Sequence, residues 1–162
     1  NMARYQAGSE IVSVHATGAV LVDEEIGKAG DVDTAIVTLT FANGAIGVID
    51  NSRKAVYGYD QRLEVFGSKG CAKAENDTPS TVTLATSEHV TSDKPLYFFL
   101  ERYKDAFVDE VVSFAQAIVE NTDVLVSGED GLEDMVAALA AGKSLKEGRP
   151  VTIAEMKKEL GL

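Results

Sequence analysis

Cysteine occurs once, at Cys71, so no disulfide can close within the chain, and a reducing, cytoplasmic setting is permitted. Tryptophan is absent and proline occurs three times, which leaves long stretches free to form regular structure. Basic residues are scarce: 15 Lys and Arg stand against 26 Asp and Glu, a net charge of −11. That balance excludes a nucleic-acid or anionic-membrane partner, either of which needs a basic patch. No apolar run approaches the roughly 18 residues of a membrane span. The opening NMARYQAGSE has no apolar signal core. No G-x-G-x-x-G is present, so no dinucleotide site is visible in these residues. His15 and His89 have no second His or Cys at metal-ligand spacing, and no G-x-S-x-G marks a nucleophile.

What is present is a chain of 162 residues, 45% hydrophobic and 25% charged, enough for one domain with its own core. Met2, Ala3, Arg4 and Gln6 read as the end of a helix that Gly8 closes. Residues 10–86 read as strands. In VDTAIVTLTFA, Ala35, Val37, Leu39 and Phe41 alternate with Thr34, Thr38 and Thr40, the period-2 pattern of a half-buried strand. Asn43-Gly44 signals a hairpin, because both residues tolerate positive φ, and AIGVIDNSRKA returns from it. EIVSVHATGAVLV opens the sheet, QRLEVFG and CAKAEN flank a turn at Ser68-Lys69-Gly70, and TVTLAT adds another strand. The count is about six strands in a meander.

After residue 92 the period changes. Tyr103, Phe107, Val111, Phe114 and Ile118 form one helical stripe. Ser127 caps a second helix, with Glu129, Asp130 and Glu133 at its positive end and Leu132, Met135, Val136, Leu139 and Ala140 as its apolar face. Pro150 breaks the chain, and Thr152 with Glu155 suits the start of a last short helix. Strands followed by helices predict an α+β fold, a mixed, mostly antiparallel sheet with helices on one face. The face left open carries Thr34, Ile36, Thr38 and Thr40, with either the Ile46–Val48 row or the Gly47–Ile49 row beside it. Such an uncharged face suits self-association.

Few residues invite chemistry. Gly67-Ser68-Lys69-Gly70 reads as a hairpin turn, since no helix begins there to receive a phosphate. Cys71 reads as packed in a strand, and Asp23, Glu24 and Glu25 as a solvated loop. The exception is Val56-Tyr57-Gly58-Tyr59-Asp60-Gln61, after the strand that ends in Asp50-Asn51-Ser52-Arg53. Two tyrosines around a glycine, at a strand mouth, can offer a polyol hydroxyls that both donate and accept. The plainer alternative is a strand connection with two half-exposed rings.

The run YGYDQRLEVFGSKG, residues 57–70, resembles the central signature of the Gfo/Idh/MocA family, named for glucose-fructose oxidoreductase, inositol dehydrogenase and rhizopine catabolism. FFLERYKDAFVDEVVSFAQAI at 98–118, SGEDGLEDMVAALAAGKSLKEGRPVTI at 127–153 and the opening NMARYQAG resemble further family segments in the same order, with the inositol dehydrogenases the nearest branch. The resemblance implies a dehydrogenase C-terminal, dihydrodipicolinate-reductase-like domain spanning 1–162. It implies a partner Rossmann domain, outside this chain, that binds NAD or NADP. It also implies hydride transfer from a polyol or sugar carbinol, and a homo-oligomer formed through the open sheet face. The family's acid–base histidine would precede Asn1, so the resemblance assigns this chain no catalytic and no cofactor-binding residue. It assigns Tyr57 and Tyr59 to the substrate, with Asn51 added from its position. Two rival readings are a non-enzymatic, sheet-mediated dimerisation module and a sugar-binding module without redox chemistry.

Overall fold

The computed structural model describes residues 1–162 and divides them into two compact units, Asn1–Lys54 with Val126–Leu162, and Ala55–Leu125. In chain order the first unit holds α1 (Met2–Ala7), β1 (Ile11–Ala19), α2 (Glu24–Lys28), β2 (Thr34–Phe41) and β3 (Ile46–Ser52). The second holds β4 (Leu63–Gly67), β5 (Gly70–Ala74), β6 (Thr83–Ala85), β7 (Val90–Ser92), α3 (Phe99–Arg102) and α4 (Lys104–Glu120). The chain then completes the first unit with α5 (Gly128–Glu147), β8 (Val151–Thr152) and α6 (Ile153–Leu160). The fold is α+β, as the sequence predicts. The strands form one four-stranded sheet, ordered β3-β2-β1-β8, and two separate hairpins, β4-β5 and β6-β7, where a meander of about six is expected. Every strand pair is antiparallel.

In the first unit α5 and α6 pack on one face of the four-stranded sheet. The core is Val14, Leu39, Phe41, Val136, Ala140, Val151, Ile153 and Met156. Leu39 and Phe41 are buried and Thr38 and Thr40 exposed, as the alternation requires. On α5 the buried row is Val136, Ala140 and Ser144, at steps of four. Leu132, Met135 and Leu139, expected in the apolar face, remain exposed. Small side chains at the contact let the helix approach the strands closely, so the row toward the sheet is narrower than the apolar stripe.

The helix ends follow local chemistry. Gly8 closes α1 at φ 56, a left-handed angle that costs glycine little. The Ser127 hydroxyl accepts the Asp130 N–H while the Asp130 carboxylate accepts the Ser127 N–H, a complete capping box. Thr152 accepts the Glu155 N–H at the start of α6. The Asn43-Gly44 hairpin forms, but only Gly44 takes a positive φ; the Asn43 side chain instead accepts the Ala45 N–H and donates to the Ala7 carbonyl.

Three expectations need correction. Asp23, Glu24 and Glu25 are not a loop: Asp23 caps α2, accepting the Glu25 N–H, and the two glutamates stand in its first turn, where the helix dipole favours them. The stripe on α4 belongs to the second unit, and within it Phe107, Val111, Phe114 and Ile118 are exposed while only Ala117 is buried. The Cys71 side chain is also exposed, because it stands opposite Phe66 on the exposed face of the β4-β5 hairpin, the face away from the half-buried Leu63 and Val65.

The open face of the first-unit sheet is resolved by its register. Rows His15/Thr38/Val48 and Thr17/Ile36/Asp50 run across β1, β2 and β3, with Thr40/Ile46 beside them. Of the two rows considered on β3, Ile46–Val48 is the one that shares the face with the threonines. Asp50 and His15 add the polar groups the pattern left unassigned.

Candidate functional site

The tyrosine segment lies in the second unit, between the end of β3 and the start of β4, and a polar network holds it. Gly58 sits at φ 148, and a Cβ there would stand 2.7 Å from the Pro95 carbonyl oxygen, so the two strands of backbone approach only because the residue is glycine. Next to it the Tyr59 N–H donates to the Leu96 carbonyl at 2.8 Å, and the Leu96 N–H donates to the Asp77 carbonyl at 3.0 Å. The Tyr59 ring stands edge-on to Tyr103, with ring centres 5.6 Å apart at 80°. Tyr103 in turn packs against Phe107, the first apolar residue of the α4 stripe. Burial, reinforced by the Tyr59 hydroxyl, pushes the Tyr103 phenol up to about 12, so it stays protonated at neutral pH.

Asp60 is the centre of the network. Its carboxylate accepts Arg62 Nε at 2.8 Å, Arg62 Nη2 at 3.0 Å, Asn76 Nδ2 at 2.7 Å and the Tyr57 hydroxyl. The Asn76 carbonyl oxygen accepts the Gln61 N–H at 2.7 Å, which ties the chain leaving β5 to the chain entering β4. The Arg62 guanidinium, then the Tyr57 and Asn76 donors, hold the Asp60 carboxyl far below the usual carboxylate range. The same contact raises the Tyr57 phenol, because ionisation would set its charge against Asp60.

The predicted residues thus fall in two places. Tyr57 and Tyr59 stand in one pinned segment, with the Tyr57 ring 45% exposed and Tyr59 half-buried. Asn51 belongs to the first unit, on β3 opposite Ala35, and it shares the face of Gly47 and Ile49, away from the open row. Asp60, Arg62, Asn76 and Tyr103 were missed as partners. Asp60 and Arg62 announce themselves only by adjacency to the tyrosines, and nothing local marks Asn76, sixteen residues on.

Neither glycine-bearing loop that the sequence offers presents free N–H groups to a phosphate. The Gly67–Gly70 turn joins β4 to β5 rather than opening a helix. The α5 N-terminus is filled by its own Ser127–Asp130 box. No helix is long and apolar enough to cross a membrane.

An antiparallel sheet covered on one face by helices is the architecture of a dehydrogenase C-terminal domain. Residues 1–73 match the GFO/IDH/MocA C-terminal domain family. The myo-inositol 2-dehydrogenase of Thermotoga maritima is 53% identical over 156 residues, 96% of this chain and 47% of its own length. The uncharacterized oxidoreductase YrbE of Bacillus subtilis is 53% identical over 98% of this chain and 46% of its own. A solved structure from Thermotoga maritima superimposes with a TM-score of 0.93 at 54% identity, covering 96% of this chain and 46% of its own. The chain belongs to the GFO/IDH/MocA family, and it spans about half the length of the curated relatives it matches.

Proposed function

We propose that the chain is the substrate-lining and oligomerising part of an NAD(P)-dependent polyol dehydrogenase that oxidises myo-inositol to scyllo-inosose. The observation that carries the reading is the pinned Tyr57-Gly58-Tyr59 segment, held by Asp60 and by the Leu96 carbonyl, in a chain 53% identical to a myo-inositol 2-dehydrogenase. Fixed phenols in a rigid frame suit a polyol, whose hydroxyls must be met by groups already in place. Tyr57 and Tyr59 are the proposed substrate contacts of the second unit, and Asn51 is proposed separately as a contact offered by the first. The residues that grip the dinucleotide and move the proton lie outside this chain in this reading.

The test is steady-state turnover of the full-length protein with myo-inositol and either NAD or NADP. Turnover is expected, and its absence across a polyol panel overturns the reading. Tyr59→Phe should lower kcat/KM for the polyol by about threefold to tenfold while the dinucleotide KM holds, the worth of one neutral hydrogen bond. An unchanged value assigns the ring to packing against Tyr103.

Assembly is proposed through the open face of the four-stranded sheet, with a second copy as occupant. Support comes from its rows of threonine and β-branched residues, Thr38, Thr40, Ile36, Ile46 and Val48, all exposed. A stable pairing should bury more than about 1,000 Å². Sedimentation at micromolar concentration should show a dimer or larger, and Thr38→Lys should dissociate it. A strict monomer, unchanged in mass by Thr38→Lys, assigns the face to solvent.

A further inference from the structure

Tyrosine has one hydroxyl hydrogen, and its direction decides whether the oxygen meets a ligand as donor or as acceptor. The Tyr57 hydrogen is committed. The Tyr57 hydroxyl donates to Asp60 Oδ2, and the Asp60 side chain is only 15% exposed. Asp60 Oδ1 is meanwhile filled by Arg62 Nε at 2.8 Å and Asn76 Nδ2 at 2.7 Å, and Arg62 Nη2 shares Oδ2 at 3.0 Å. Four donors on one carboxylate leave it no freedom to turn away, and the Asn76 carbonyl is itself fixed by the Gln61 N–H. An ionised carboxylate cannot donate, so Tyr57 cannot reverse the bond.

We propose that Asp60 is a positioning residue that fixes the hydrogen-bond polarity of Tyr57, so that the exposed side of the Tyr57 oxygen accepts a hydrogen from a substrate hydroxyl and offers none. The proposal rests on the polyol reading of the site and adds to it a direction: the substrate hydroxyl that meets Tyr57 is the donor and the Tyr57 oxygen the acceptor. A carbonyl or ether oxygen at the same position on a ligand finds only lone pairs facing it and is rejected. Arg62 balances the Asp60 charge, which lets the carboxylate remain ionised beside a phenol.

The experiment uses the full-length protein as wild type, Tyr57→Phe, Asp60→Asn and the double variant, with two readouts. The first is the ultraviolet titration of tyrosine, each protein measured against its Tyr57→Phe counterpart so that Tyr57 alone is seen. In the wild type Tyr57 should ionise above an ordinary tyrosine, and in Asp60→Asn it should fall back toward the ordinary value. The second is steady-state kinetics with myo-inositol. Tyr57→Phe and Asp60→Asn should each raise the polyol KM by about threefold to tenfold without moving the dinucleotide KM, and the double variant should be no worse than the poorer single. Multiplying effects overturn the proposal, as does a Tyr57 titration that Asp60→Asn leaves in place. If Asp60→Asn does not fold, the wild-type titration still decides: an ordinary Tyr57 refutes the bond, a raised one supports it. Absence of polyol turnover in the wild type refutes the dehydrogenase reading, and the titration then judges Asp60 alone.

Discussion

Removing the Ser144 hydroxyl should be among the most damaging single-atom changes in the first unit. β8 pairs with β1 only through Ser13↔Thr152 and Val14↔Val151. The next residues of that register would bring Ala16 opposite Arg149. Pro150 has no N–H to continue the ladder, and β8 ends there. The Ser144 hydroxyl, wholly buried on α5, fills the break: it accepts the Ala16 N–H at 2.9 Å and donates to the Arg149 carbonyl at 2.6 Å. One hydroxyl thus bridges two backbone groups that would otherwise bond each other. Ser144→Ala strands the buried Ala16 N–H, while the carbonyl of the exposed Arg149 can turn to water. A buried donor left without a partner costs about 1–3 kcal/mol. With a urea slope near 2 kcal/mol/M, the midpoint should fall by about 0.5–1.5 M. Ser113→Ala is the control, since that exposed hydroxyl only back-bonds the Glu110 carbonyl on α4, and it should stay within about 0.5 kcal/mol. Hydrogen exchange at the Ala16 amide gives a direct view of the broken bridge. A Ser144→Ala midpoint equal to that of Ser113→Ala, with Ala16 still protected, refutes the reasoning.

Asp33 is buried and its carboxylate accepts the N–H groups of Leu21, Val22 and Asp23 and the Thr34 hydroxyl. Burial alone would raise its pKa, but the bonds from Leu21, Asp23, Val22 and Thr34 outweigh it and bring the value to about 2 from 3.8. A depressed folded-state pKa stabilises fully above 3.8 and is lost as pH falls toward 2. Acid unfolding should therefore steepen across that window in the wild type and lose that component in Asp33→Asn; identical acid curves would refute the assignment. Ser127→Ala removes half of the α5 capping box and should cost about 1 kcal/mol by thermal or urea melting, whereas Ser127→Asp should retain most of it. Equal loss in both variants would mean the cap acts through something other than an oxygen acceptor.

Local signals in the sequence determined most of the elements, α2 excepted. Alternation at Ala35, Val37, Leu39 and Phe41 specified a strand and its faces, because side chains point to opposite sides at every step whatever the sheet around them. Ser127 with Asp130, Thr152 with Glu155 and Gly8 marked helix ends because capping is made within four residues. The family signature around Tyr57 and Tyr59 was legible for the same reason, being one continuous run. Only the tertiary structure decided what each face and each polar group meets. Periodicity grouped Leu132, Met135, Val136, Leu139 and Ala140 on one helix face, yet packing against β1 selected Val136, Ala140 and Ser144 and left the larger residues outside. Ser144 bridges to a strand 128 residues earlier, and Asn76 reaches Asp60 across 16. Such partners share no local pattern, because a hydrogen bond between distant segments depends on where the folded backbone brings them and not on the residues beside either one.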